Sequence, residues 1–213
     1  MILLIIYILM ISYTNIDIKD DEIELSELSN TSLENIKNKG TGAGGANTNL
    51  NGLPYEKLTE LKTEYNIVHY CKYYNLIQFK NNEDVQLKCT KQNNLFKTMK
   101  EQVNLEVEKA HGCKNPDESF INEEKNIIFI IEKKFQQVTG SVCEKIQTPD
   151  FKLWQYRRTF PNYQIVYIYC LSDWFRTNCK AELEYLSYKN IPVFWGSEET
   201  YKNKIVDFLV NYK

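Results

Sequence analysis

The sequence predicts an α+β protein that is predominantly α-helical: a disulfide-stabilised helical domain with a small strand pair near the C-terminus. Three observations carry that expectation. Apolar residues recur at helical spacing between residues 54 and 148, six cysteines follow a short apolar start, and only residues 164–170 form a long β-branched, aromatic run.

The elements follow in order. Pro54 suits a first helical turn, and Leu58, Leu61, Tyr65 and Val68 then fall on one helical face. Residues 73–79 crowd β-formers and permit extended chain, and residues 81–84, Asn-Asn-Glu-Asp, make a turn. Leu95, Met99, Val103 and Val107 repeat every four residues across a second helix closed by Gly112. After a turn at residues 115–117, Ile128, Ile131, Phe135, Val138 and Val142 recur at three and four, with Glu123, Glu124, Lys133, Gln136 and Gln137 off the stripe. That predicts a core helix, which Pro149 stops. Residues 164–170 then predict a strand, Asp173 caps a helix to about residue 187, residues 191–195 are a short apolar run, and Ser197 opens a last helix bearing Tyr201, Ile205, Phe208 and Leu209.

Eleven of the first thirteen residues are apolar beyond the start Met. Spanning a membrane takes about 20 such residues, so the run predicts a secretory signal peptide over residues 1–14, with no transmembrane segment after cleavage. Residues 15–52 are acidic and then Gly/Asn-rich, which predicts a disordered linker, and residues 53–213 make up the cysteine-containing domain. The Gly-rich tract lacks the Gly-Lys-Ser/Thr ending of a phosphate loop. Residues 1–53 carry seven acids against three lysines, so the rest of the chain is near neutral within a total of -2. No global field attracts nucleic acid.

An export signal makes Cys71, Cys89, Cys113, Cys143, Cys170 and Cys179 disulfide candidates. Chain order suggests Cys71 with Cys89, Cys113 with Cys143 and Cys170 with Cys179, among fifteen connectivities. His69-Tyr70-Cys71 and His111-Gly112-Cys113 repeat a metal-ligand pattern, but tight Cys-x-x-Cys knuckles are missing and disulfide use takes precedence. No metal and no cofactor is expected. Asn30-Thr31-Ser32 is a glycosylation sequon. Glu123-Glu124 and Glu198-Glu199 fall in expected helix first turns, where the dipole explains them, and no carboxylate pair stands out for acid–base work.

Residues 173–179, Asp-Trp-Phe-Arg-Thr-Asn-Cys, resemble a thioredoxin active-site segment, and Ile191-Pro192-Val193 is similar to that family's proline strand. Phe175 stands where the attacking thiol belongs, which removes the nucleophile for dithiol exchange. The segment 142–146, Val-Cys-Glu-Lys-Ile, with Cys113 upstream and Trp195-Gly196-Ser197 downstream, resembles the saposin-like, canopy-type proteins of the secretory lumen. That resemblance implies action by binding and no catalytic residues. High Asn, Lys, Ile and Tyr with few Gly and Pro gives the chain the look of a secreted protozoan parasite antigen.

Residues 151–160 interleave aromatics with cations. Lys152, Trp154, Tyr156, Arg157 and Arg158 are the candidate binding residues, of a type over-represented in protein hot spots. The functional expectation is a secreted or surface-exposed, non-enzymatic protein that binds a protein or surface ligand and not nucleic acid. The alternative is a lumenal folding helper of canopy-like or degenerate thioredoxin-like type.

Overall fold

Ile127-Ile128-Phe129-Ile130-Ile131 explains the main departure from expectation. In a computed structural model describing residues 46–102, 108–138 and 142–213, this segment is not a helix but an interior strand of a seven-stranded mixed sheet. All five positions are buried: Ile127, Phe129 and Ile131 on one face, Ile128 and Ile130 on the other. A strand covered on both faces has no polar alternation, and five consecutive apolar residues satisfy a helical period as easily as any other.

The protein is therefore α/β, which corrects the expectation of a predominantly helical domain. Helix α1 (Ala46–Leu58) leads through a 3-10 turn (Leu61–Glu64) into β1 (Tyr65–Tyr70), β2 (Asn75–Phe79) and β3 (Asn82–Thr90). Then come α2 (Asn94–Gln102), β4 (Glu118–Asn122), β5 (Ile127–Lys134), α3 (Val142–Ile146), α4 (Pro149–Thr159) and β6 (Gln164–Leu171). Helices α5 (Trp174–Asn178) and α6 (Lys180–Tyr188), strand β7 (Val193–Trp195) and helix α7 (Tyr201–Asn211) complete the order. The strands lie in sequence order, antiparallel from β1 to β5 and parallel from β5 through β6 to β7.

The first expected helix breaks at Leu58. Leu58 and Val68 are exposed, and the β-rich stretch from Tyr65 joins the sheet edge. Pro54 lies inside α1 rather than at its start. The second expected helix stands as α2, with Leu95 and Met99 buried, while Val103 and Val107 lie outside the described residues. Glu123 and Glu124 sit in the β4–β5 turn, and Glu198 and Glu199 in the bend before α7, not in helical first turns. The expectations for residues 1–45, including the signal peptide, most of the linker and the sequon, also lie outside the described residues. Among the described residues no helix is long and apolar enough to cross a membrane.

Two apolar layers sandwich the sheet. On one face α2, α4, α5 and α6 contribute Leu95, Met99, Leu153, Tyr156, Phe175 and Leu186 over Ile128, Ile130, Tyr167 and Tyr169. On the other, α1 and α7 contribute Tyr55, Tyr201, Ile205, Val206 and Leu209 over Ile77, Phe120, Phe129 and Ile168. Helix α1 is fixed by Tyr201 Oη donating to the Thr59 carbonyl at 3.2 Å and by Tyr55 Oη lying 3.5 Å from Cys170 Sγ. It comes so close to Gly196 that an added Cβ would stand 2.3 Å from Tyr55 Oη and 2.5 Å from Thr59 Cγ2. Gly196→Ala is therefore expected to destabilise the fold by about 1–3 kcal/mol through overpacking. Thermal unfolding checks this, and an unchanged Tm would mean that α1 yields freely.

Candidate active site

Antiparallel pairing brings together residues that lie far apart in the chain. Glu118 stands opposite Ile131, and Asp117 and Glu132 are the next residues outward on β4's approach and on β5. The Lys133 backbone N–H donates to Asp117 Oδ2 at 2.7 Å, which fixes this carboxylate beside the end of β5. Glu132 and Lys134 alternate onto the same face as Ile128 and Ile130, and Lys133 onto the opposite face. The cluster thus sits at the carboxyl ends of parallel strands β5 and β6.

Helix α4 completes the site. Because β5 and β6 are parallel, the helix between them runs back along the sheet, so its first turns lie at the Glu132 end. Lys152 Nζ passes 5.7 Å from the ring centroids of both Tyr167 and Tyr169 and reaches Glu132 Oε1 at 3.2 Å. Lys134 Nζ meets the same oxygen at 2.6 Å. The loop before Asp117 is pinned to α4 by Gln155 Nε2 donating to the His111 carbonyl (2.9 Å) and Tyr156 Oη donating to the Lys114 carbonyl (2.8 Å). Thr159 Oγ1 accepts the Ala110 N–H at 3.2 Å.

From the other side, Lys133 Nζ donates to the Glu56 carbonyl at 3.1 Å and lies 3.0 Å from Glu118 Oε2, an ion pair buried to within 2% of full enclosure. The Glu56 side chain lies within electrostatic reach of Asp117.

The charges do not cancel evenly. Burial raises the Asp117 carboxyl above its ordinary value, Glu132 pushes in the same direction, and Lys134 opposes it. Burial also raises Glu56, with Asp117 adding to the shift. Burial alone would raise Glu132, but Lys134 and Lys152 outweigh it and hold the carboxyl below its ordinary value. Lys152 is lowered by burial and by Lys134, against the attraction of Glu132. Two carboxylates are thus held against repulsion, beside a third clamped by two ammoniums. Titratable groups shifted in opposite directions within one cluster make it a functional-site candidate.

The residues expected to bind divide between two surfaces. Trp154, Arg157 and Arg158 project outward from α4, whereas Tyr156 is in the core and Lys152 in the charged cluster. Of the cysteines, Cys143 and Cys179 are bonded to each other, while Cys71, Cys89, Cys113 and Cys170 are free. This corrects the expected chain-order pairing. Cys170 lies in the layer under α1 and α7 and Cys179 in the opposite layer, so the sheet separates them. Burial pushes the Cys89 thiol up to about 12 and raises those of Cys113 and Cys170, so none of the three is an activated nucleophile. Among the described residues, the metal-ligand atoms that gather in threes within 4.8 Å belong to Cys143, Cys179 and Glu182, whose sulfurs are already joined. The two His-x-Cys segments lie apart, on edge strand β1 and in the loop before β4.

No motif in the sequence points to Asp117, Glu132, Lys134 or Glu56. The available signal was the abrupt charge of Glu132-Lys133-Lys134 at the end of an uninterrupted apolar strand, with Pro116-Asp117 one hairpin earlier. No family model, no curated protein and no solved structure matches the chain.

Proposed function

We propose that the protein is a divalent-cation-dependent phosphodiester hydrolase, with Asp117 and Glu132 as cation ligands, Glu56 as an accessory carboxylate, and Lys134 and Lys152 facing the phosphate. The observation that carries this reading is the placement of Asp117, Glu132 and Lys134 side by side on one face at the end of β5, with Lys152 converging on Glu132. Magnesium binds through one or two carboxylates and completes its shell with water and substrate phosphate, so a two-carboxylate site of this kind suits it. A bound divalent cation would polarise the phosphoryl group and lower the pKa of water.

The protein's own side chains account for the rest. Glu132 Oε1 holds the ammoniums of Lys134 and Lys152, so one of them would have to leave it for Glu132 and Asp117 to hold a cation. That lysine would face the non-bridging phosphate oxygens, where charge develops during phosphoryl transfer. The raised Asp117 and Glu56 fit the same reading, since a cation is what relieves their mutual repulsion.

The test uses the full chain with magnesium or manganese, a labelled oligonucleotide and the small diester bis(p-nitrophenyl) phosphate. Scission is expected with the cation, is abolished by EDTA, and falls at least about a hundred-fold in Glu132→Gln with cooperative unfolding retained. Intact substrates with either cation, or full activity in Glu132→Gln, would overturn the reading.

A second reading draws on the Cys143–Cys179 crosslink, a bond favoured in oxidising compartments. It is a secreted or surface-exposed protein that binds a protein or surface ligand, with a canopy-like or degenerate thioredoxin-like lumenal helper as its variant. Neither needs a cation or Glu132, so the same assay separates the readings.

A further inference from the structure

The outer flank of α4 carries a stack that the fold does not use. Phe151 and Trp154 are 58% and 52% exposed, yet their rings lie 5.8 Å apart and within 20° of parallel. The Arg158 guanidinium continues the column, 5.6 Å from the Trp154 ring. Spacings of three and four residues put all three side chains on one helical face, and the buried residues Leu153, Tyr156 and Thr159 account for the packing of the helix without them.

Three features give this column an occupant. It starts in the first turns of α4, at the end where the adjacent Lys152 enters the Glu132 cluster, so the platform and the site share one end of the sheet. Its rim is cationic: Arg157 and Arg158 are exposed, and exposed Lys114 lies on the loop that Tyr156 pins to the helix. The acid on this turn, Asp150, is engaged by Lys189 at 2.8 Å and by the Tyr185 hydroxyl at 2.9 Å. Flat rings with an open face beside cations suit nucleobases followed by phosphates, and they require bases that are not already stacked in a duplex.

We propose that the substrate of this site is a single-stranded polynucleotide, DNA or RNA, whose bases stack on the Phe151–Trp154 column while a neighbouring phosphate enters the Asp117–Glu132 cluster. The proposal rests on the phosphodiester-hydrolase reading and names its substrate class. It departs from the near-neutral charge of the domain as a guide, because the cations that matter are local to one helix.

The experiment measures binding by fluorescence anisotropy in the full-length Glu132→Gln background with magnesium, using oligo-dT and oligo-rU of about 15 nucleotides and a duplex of equal length. Single strands are expected to bind at least about ten-fold more tightly than duplex. Adding Phe151→Ala and Trp154→Ala should weaken single-strand binding by about ten-fold or more and leave duplex binding unchanged, since stacking is available only to the single strand. Both positions are more than half exposed, and a melting curve verifies the fold. The dT and rU arms distinguish DNA from RNA. Equal affinity for duplex, or no effect of the double substitution, overturns the proposal. If bis(p-nitrophenyl) phosphate is still cleaved in a Glu132-dependent manner, the hydrolase reading survives that failure. Trp154-dependent strand binding with no diester cleaved by the unsubstituted protein would instead sink the hydrolase reading, and the substrate assignment with it.

Discussion

Replacing Asp117 with asparagine is expected to lower kcat at least about a hundred-fold and, in the absence of divalent cation, to make the fold more stable near neutral pH. The two effects share one cause. The Asp117 carboxyl is raised by burial and by Glu132, so its charged form is disfavoured in the folded state. Stability from a raised carboxyl is fully present below the unfolded value of about 3.9 and is lost as pH rises through the folded value. Asparagine imitates the protonated form and still offers an oxygen to the Lys133 N–H. Its advantage therefore appears above the raised value and vanishes in acid. Glu132 has the opposite sign: its lowered value gives stability that is present above the unfolded range and lost as pH falls through the folded value. Magnesium should raise the Tm of the unsubstituted protein and raise that of Asp117→Asn much less, because ligand binding to the folded state alone is what stabilises it. Melting curves across pH, with EDTA and with magnesium, read all of this. A variant that is less stable at neutral pH, or equally stabilised by magnesium, would remove Asp117 from the cation site.

The C-terminal half of the fold was legible because its local signals agree with its packing. Residues 164–170 read as a strand and pair with both neighbours as β6, and the expected helix after Asp173 is present as α5 and α6, ending before Asn190 at a φ of 53°. The central hairpin was not legible. Ile127–Ile131 is apolar at every position, so the burial of both faces erased the alternation that marks a strand. Reading it as a helix also hid the site. In a helix Asp117 and Glu132 would stand about 22 Å apart along the axis, whereas the β4–β5 register makes them neighbours. The aromatic and cationic stretch of α4 is visible from residue type alone, but its division into an inner pair, Lys152 and Tyr156, and an outer column depends on which side of the helix meets the sheet. The disulfide was misassigned for a similar reason. Chain proximity favours Cys170 with Cys179, but a strand residue facing one layer cannot reach a helix that covers the other.

Lys133→Met is expected to be the most destabilising of the charge substitutions at this end of the sheet, by about 3–5 kcal/mol, and to lower Tm by at least about 6 °C. Lys133 is 2% exposed and Glu118 is 1% exposed, and their 3.0 Å contact is the ion pair that balances a charge otherwise buried opposite Ile131 and near Tyr201. Methionine fills the space of the lysine stem but leaves the Glu118 carboxylate buried without its cation, which is costlier than losing both charges together. The double substitution Lys133→Met with Glu118→Leu should accordingly recover most of the loss, because a buried pair exchanged for apolar residues of similar volume is close to neutral. Activity should not follow stability. Lys133 Nζ also donates to the Glu56 carbonyl and so ties α1 to β5, and neither methionine variant restores that bond. The double variant should therefore be well folded yet weaker in cation binding, as judged by a higher magnesium concentration for half-maximal diester cleavage. A double variant as unstable as Lys133→Met alone would refute the ion-pair account. A double variant with unaltered magnesium dependence would mean that Glu56 is held in place by α1's own packing against Gly196 and β7.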